Sequence, residues 1–124
     1  MSEGAGDDTP GQYVLDMAAT PDAPIASAPS ADRILRGMPQ WRTWLSMREH
    51  GNSSGRWEST PGAWTMNYDK WEFCAVLSGS GRITPLGGEP IELKAGSTLT
   101  IRPGFRGTWE VDETMTKYFF VRQA

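Results

Sequence analysis

From about residue 41 onward, apolar and polar side chains alternate in short runs, and glycine or proline closes most of them. A period of two marks a strand, whose successive side chains point to opposite faces. The spacing predicts strands over 42–48, 55–59, 63–68, 71–77, 81–85, 90–94, 97–102, 107–111 and 117–122. The predicted connections are Gly51-Asn52-Ser53-Ser54, Pro61-Gly62, Ser78-Gly79-Ser80, Leu86-Gly87-Gly88, Ala95-Gly96, Pro103-Gly104 and Asp112-Glu113. Each is built from residues that tight turns favour. No segment keeps a helical period, and no long-period repeat is present. Many short strands separated by turn residues point to an antiparallel β-sandwich or barrel.

The faces can be read from parity. Over 63–68 one face carries Trp64, Met66 and Tyr68, and the other Ala63, Thr65 and Asn67. Over 71–77 one face carries Glu72, Cys74 and Val76, and the other Trp71, Phe73, Ala75 and Leu77. Over 107–111 Gly107, Trp109 and Val111 share a face. Several strands are thus apolar on both sides, whereas an open sheet with one wet face alternates more cleanly. The pattern predicts a barrel that also docks against something outside it, either the N-terminal arm or a second subunit.

Residues 1–36 have a different texture, rich in Ala, Pro, Asp, Ser and Gly. Pro10, Pro21, Pro24 and Pro29 remove backbone donors there. Residues 13–17 have the composition of one added strand, and residues 32–36 fit either a helical turn or a strand. The reading is an N-terminal arm over 1–36, packed on the barrel or a partner or else disordered. A β-barrel domain follows over 37–124.

Bulk composition narrows the function classes. The 124 residues fit one domain. Twelve basic residues face fifteen acidic ones, so nucleic acid and anionic membrane are poor partners on electrostatic grounds. One cysteine, Cys74, excludes an intramolecular disulfide and a thiolate zinc cluster. The expected compartment is the cytoplasm. The N-terminus, Met1-Ser2-Glu3-Gly4-Ala5-Gly6-Asp7-Asp8, does not read as a secretory signal. All six tryptophans follow residue 40. Indoles suit cores, pocket walls and interfaces.

Two stretches resemble the cupin motifs. In 62–79, Glu72 precedes Gly79 with six residues between them, as at the end of the first motif. In 96–109, Gly96 and Gly104 keep the spacing of the second. More narrowly, Trp57-Glu58-Ser59-Thr60-Pro61-Gly62, Glu72-Phe73-Cys74, the run 103–111 and Lys117-Tyr118 resemble the ureidoglycine aminohydrolase-type cupin domains. The resemblance implies an all-β fold, a single antiparallel β-barrel or double-stranded β-helix jelly roll. In metal-bearing cupins two histidines and a glutamate come from the first motif and one histidine from the second. Carried over, the first two fall on Met66 and Tyr68, or with a one-residue gap on Thr65 and Asn67. The glutamate falls on Glu72 and the last histidine on Gly107. Only the glutamate is kept, and the motif proline falls on Arg102, one residue before Pro103. The chain has one histidine, His50, in a polar stretch. No metal or other cofactor is expected.

The expected pocket gathers Trp57, Trp64, Met66, Tyr68, Glu72, Cys74 and Trp109, with Gly107 leaving space. Arg102 or Lys117 would pair with Glu72, as a cationic ligand also could. Aromatic walls around one acid suit a small polar or cationic organic molecule. Plainer roles compete at each position. Trp64 and Trp109 can fill the core, and Met66 can simply pack. Glu72 can be a scaffold acid satisfied by Tyr68, and Cys74 a small buried hydrophobe. Two further function classes remain. One is an enzyme of ureide or amide chemistry, with Glu72 as general acid/base and Tyr68 as its hydrogen-bond partner. The other is a structural or interaction module acting as a homodimer.

Overall fold

The structure is a computed structural model that describes residues 13–19 and 23–124. The described residues form nine strands and one short 3-10 turn, Ala31–Arg33. The strands are β1 (Ile25–Ser27), β2 (Ile34–Gly37), β3 (Trp41–Glu49), β4 (Asn52–Ser59), β5 (Gly62–Tyr68), β6 (Trp71–Pro85), β7 (Ile91–Leu93), β8 (Thr98–Ile101) and β9 (Phe105–Arg122). All pairings are antiparallel. Among the described residues no helix is long and apolar enough to cross a membrane.

Two long strands organise the fold. The first half of β9 pairs with β5, and its second half with β4. Strand β6 runs along the other side of β9 for nearly its whole length. Its first half also pairs with β8 and its second half with β7. Two sheets result, β1-β3-β4-β9-β6-β8 and β2-β5-β9-β6-β7, which share β6 and β9 as those strands pass from one to the other. This is the jelly roll that the cupin resemblance implied, and it fits the antiparallel sandwich or barrel that the alternation predicted. The core lies between the sheets: Trp64, Ile83, Leu93, Trp109 and Val111 face Cys74, Val76, Ile101, Met115 and Phe119.

Two connections expected as turns are continuous strand. Ser78-Gly79-Ser80 is a bulge in β6, where the register against β9 shifts. The bulge changes which parity faces the core: Glu72, Cys74 and Val76 are buried before it, Gly81 and Ile83 after it. Three successive register shifts between Val76 and Gly81 do this without reversing the chain. Gly79 carries the distortion at φ +91°. A hairpin would have paired the two halves of β6 with each other; both pair instead with β9. Asp112-Glu113 likewise lies inside β9. The turn expected at residues 51–54 is tighter and earlier: His50 and Gly51 take positive φ, and Asn52 already pairs with Glu49.

The N-terminal segment enters the sheets. β1 pairs with β3 and β2 with β5, so residues 25–27 and 34–37 extend the two sheets. For residues 32–36 both expected shapes occur in succession, a 3-10 turn and then β2. Residues 13–17 form no strand. The remainder of the expected arm, residues 1–12 and 20–22, lies outside the described residues.

Candidate functional site

The inward parity of five strands converges on one cavity of about 420 Å³. Strand β3 contributes Trp41, Thr43 and Leu45, and β4 contributes Ser53 and Trp57. Across from them, β5 supplies Trp64, Met66 and Tyr68. From β9 come Trp109, Lys117, Phe119 and Val121, and from β6 Glu72. Arg33 and Asn67 complete the lining. Four indoles form a continuous wall. Trp41 meets Trp64 edge-on at 5.3 Å between centroids, and Trp57 lies 6.2 Å from Trp41 and from Trp64 and 6.1 Å from Trp109. Tilted and edge-on contacts place a positive ring edge against a negative face, the favoured arrangement for such rings.

At the polar centre both oxygens of Glu72 are engaged. Tyr68 donates its hydroxyl to Oε1 at 2.9 Å, and Lys117 donates from Nζ to Oε2 at 2.6 Å. Glu72 and Lys117 are both buried, at 6 % and 7 % exposure. A buried carboxylate is costly unless a partner and hydrogen bonds replace its water, and here both are supplied. The ammonium also lies over the indoles of Trp57 at 4.7 Å and Trp109 at 4.4 Å. Their negative faces give it a second source of compensation. Burial, reinforced by the charge of Glu72, holds the Tyr68 phenol well above its ordinary pKa, so Tyr68 keeps its proton and donates. The Cys74 thiol is pushed up to about 11, mainly by burial; Lys117 pulls it down and Glu72 raises it.

Six of the expected pocket residues share this cavity: Trp57, Trp64, Met66, Tyr68, Glu72 and Trp109. Arg102 does not. It is exposed after β8 and lines a separate depression with Ile83, Ile91 and Phe105. The cation beside Glu72 is Lys117 alone of the two expected candidates. Cys74 does not line the cavity either; it packs into the core cluster, two residues along β6 from Glu72. Gly107 leaves no space in the pocket. A Cβ there would meet the carbonyl oxygen of Thr84 at 2.1 Å and Cζ of Phe105 at 2.8 Å, because β6 closes against β9 at that point. The aromatic position expected for a ligand cation holds Lys117.

Sequence reasoning missed Arg33, Trp41, Thr43, Leu45, Ser53, Asn67, Phe119 and Val121. Parity carried a usable signal for most of them, since Trp41, Thr43 and Leu45 alternate on β3 and Lys117, Phe119 and Val121 on β9. Arg33 had none. It reaches the site from the 3-10 turn by donating Nε and Nη2 to the carbonyl of Thr65, 32 residues away.

The model of the EutQ-like cupin domain matches residues 48–119, more than half of the chain. The chain belongs to the EutQ-like cupin family. Several solved structures share its fold. A DUF861-family protein from Pseudomonas syringae pv. tomato superposes over 87% of this chain with a TM-score of 0.76 at 20% identity. This cupin spans 46% of that protein. EutQ of Clostridium difficile superposes with a TM-score of 0.61 at 16% identity, covering 79% of this chain and 81% of that one. Ectoine synthase from P. lautus gives 0.60 at 16% identity, covering 67% and 64%. At such identities the likeness concerns the fold alone. No curated protein matches the chain.

By the ungapped cupin carry-over the ligand positions are Met66, Tyr68, Glu72 and Gly107; with a one-residue gap the first two are Thr65 and Asn67, whose neutral hydroxyl and amide are poor partners for a transition metal. Met66 and Gly107 do sit opposite each other in register, but the donor set does not fit a metal. Glu72 is engaged by Lys117 and Tyr68, and Tyr68 keeps its proton. Met66 offers only a soft thioether. A histidine at 107 would drive its Cβ into β6. Among the described residues no group of three or more His, Cys, Asp or Glu is arranged to hold a metal ion.

Proposed function

We propose that this cupin binds a small polar organic molecule in the barrel cavity without using a metal. The observation that carries the reading is the polar centre of Glu72, Tyr68 and Lys117 set in a wall of four tryptophans around about 420 Å³ of space. Apolar walls with a few directed polar groups are the usual build of a small-molecule site. A catalytic role for Glu72, with Tyr68 as its hydrogen-bond partner, has less support, because Tyr68 and Lys117 already engage both carboxylate oxygens. The finer likeness to ureidoglycine aminohydrolase-type domains belongs with that catalytic reading. Turnover of ureidoglycine, with or without added manganese, is its direct assay.

The test of the binding reading is a thermal-shift panel of metabolite-sized acids, amides, amines and sugars. We expect a subset to stabilise wild type and to lose that effect in Met66→Trp, which fills the cavity from β5. Identical responses in the two proteins would refute the reading.

A second reading concerns assembly. Phe73, Leu77 and Phe120 are 44 %, 39 % and 39 % exposed on the outer face, and Trp71 stacks on Phe73 at 6.4 Å. Phe73 and Phe120 are direct cross-strand neighbours. Such clustered apolar exposure supports a homodimer through this face.

A further inference from the structure

The charges around the cavity do not cancel. Its lining carries two cations, Arg33 and Lys117, and one carboxylate, Glu72. Lys117 answers Glu72. No carboxylate among the described residues answers Arg33. Its Nε and Nη2 donate at 3.0 and 2.9 Å to a neutral carbonyl, that of Thr65. A carbonyl orients a guanidinium and uses two of its five donors, but it leaves the charge uncompensated. Nη1 has no hydrogen-bond partner among the described residues. Lys117 has three donors and spends one on Glu72.

We infer that the cavity takes a monoanionic carboxylate whose apolar part packs on the indole wall. The inference rests on the binding reading above and names the class of ligand. The pocket's excess of one positive charge matches a monoanion. A phosphate monoester carries between one and two negative charges at neutral pH and would overshoot. A planar carboxylate also suits the fork geometry of a guanidinium. The wall excludes the opposite choice. The position over Trp57 and Trp109 that would attract a ligand ammonium is filled by Lys117. A ligand ammonium would also meet two cations against one carboxylate that is already paired.

Calorimetric titration tests this with matched probes: 3-phenylpropionate, 3-phenylpropionamide and 3-phenylpropylamine, then hexanoate, hexanamide and hexylamine, with inorganic phosphate alongside. Each acid should bind at least tenfold more tightly than its amide or amine, and more tightly than phosphate. Arg33→Gln keeps an N–H donor for Thr65 and should weaken acid binding at least tenfold while leaving amide binding unchanged. Arg33→Lys should recover part of the loss. Met66→Trp should abolish binding of the acids. Amides, amines or phosphate that match the acids would overturn the anion inference and leave the binding reading standing. Acid binding that survives Met66→Trp would place the site elsewhere and overturn it too. A flat response to every probe would end both.

Discussion

Lys117 stands between Glu72 and two indoles, so its loss acts through the groups it leaves behind. Lys117→Met strands a buried carboxylate and should destabilise the fold by about 3–5 kcal/mol. The double variant Glu72→Gln/Lys117→Met keeps an acceptor for Tyr68 and removes both charges, so most of that loss should return. Urea unfolding of the two variants checks the contrast; equal destabilisation would mean that the pair is not what holds the site. Cys74 gives a pH signature. Its folded pKa is raised to about 11 from an ordinary 9. Between those values the unfolded chain releases a proton that the folded chain keeps. Its contribution to stability is therefore fully present below pH 9 and is lost as pH rises through 11. Tyr68, also raised, acts in the same sense. Urea midpoints followed from pH 8 to 11 should fall less steeply in Cys74→Ala than in wild type. The native thiol should also resist iodoacetamide at pH 8 and react once unfolded, since the thiolate is the nucleophile.

At the scale of elements, the bulge in β6 sets which side chains face the site. It lets Glu72 and Cys74 face inward in one half and Ile83 in the other, although their parities differ. Gly79 makes this possible. At φ +91° a Cβ would meet the carbonyl oxygen of Thr114 at 2.3 Å and Cα of Met115 at 2.6 Å. Gly79→Ala combines left-handed strain with a backbone clash and should cost about 2–4 kcal/mol. Gly87 is the control. Its φ is +74° but no atom lies within 4 Å of its missing Cβ, so Gly87→Ala should cost only about 1–2 kcal/mol. Chemical denaturation of the pair separates strain from close approach, and equal losses would assign the role of Gly79 to dihedral angle alone.

At the scale of the molecule, the two shared strands make one body of the two sheets. The cavity draws from both, so its shape depends on how β5 and β9 stand against β3 and β4. The outer face of β6 and β9 remains apolar. If two copies meet there, sedimentation at micromolar concentration should show a dimer that Phe73→Glu converts to monomer without loss of fold. A wild-type monomer under those conditions would remove the assembly reading.

Alternation alone determined the all-β class, nearly every strand from β3 onward, and the face on which Trp64, Met66, Tyr68, Glu72 and Trp109 lie. These follow from the two-residue period of a strand, which is local. Gly79, Gly96 and Gly104 were also legible, because a positive φ leaves its mark on residue choice. Other features needed the tertiary structure. A glycine between two serines reads the same in a turn and in a bulge; pairing with β9 decides between them. The partner of Glu72 comes from 45 residues away, and parity puts Lys117 on a face without saying what it meets. Arg33 reaches the cavity through a carbonyl on β5 that no pattern in its own segment announces. The sequence thus determined which side chains point inward, and only the closing of the two sheets decided which of them touch.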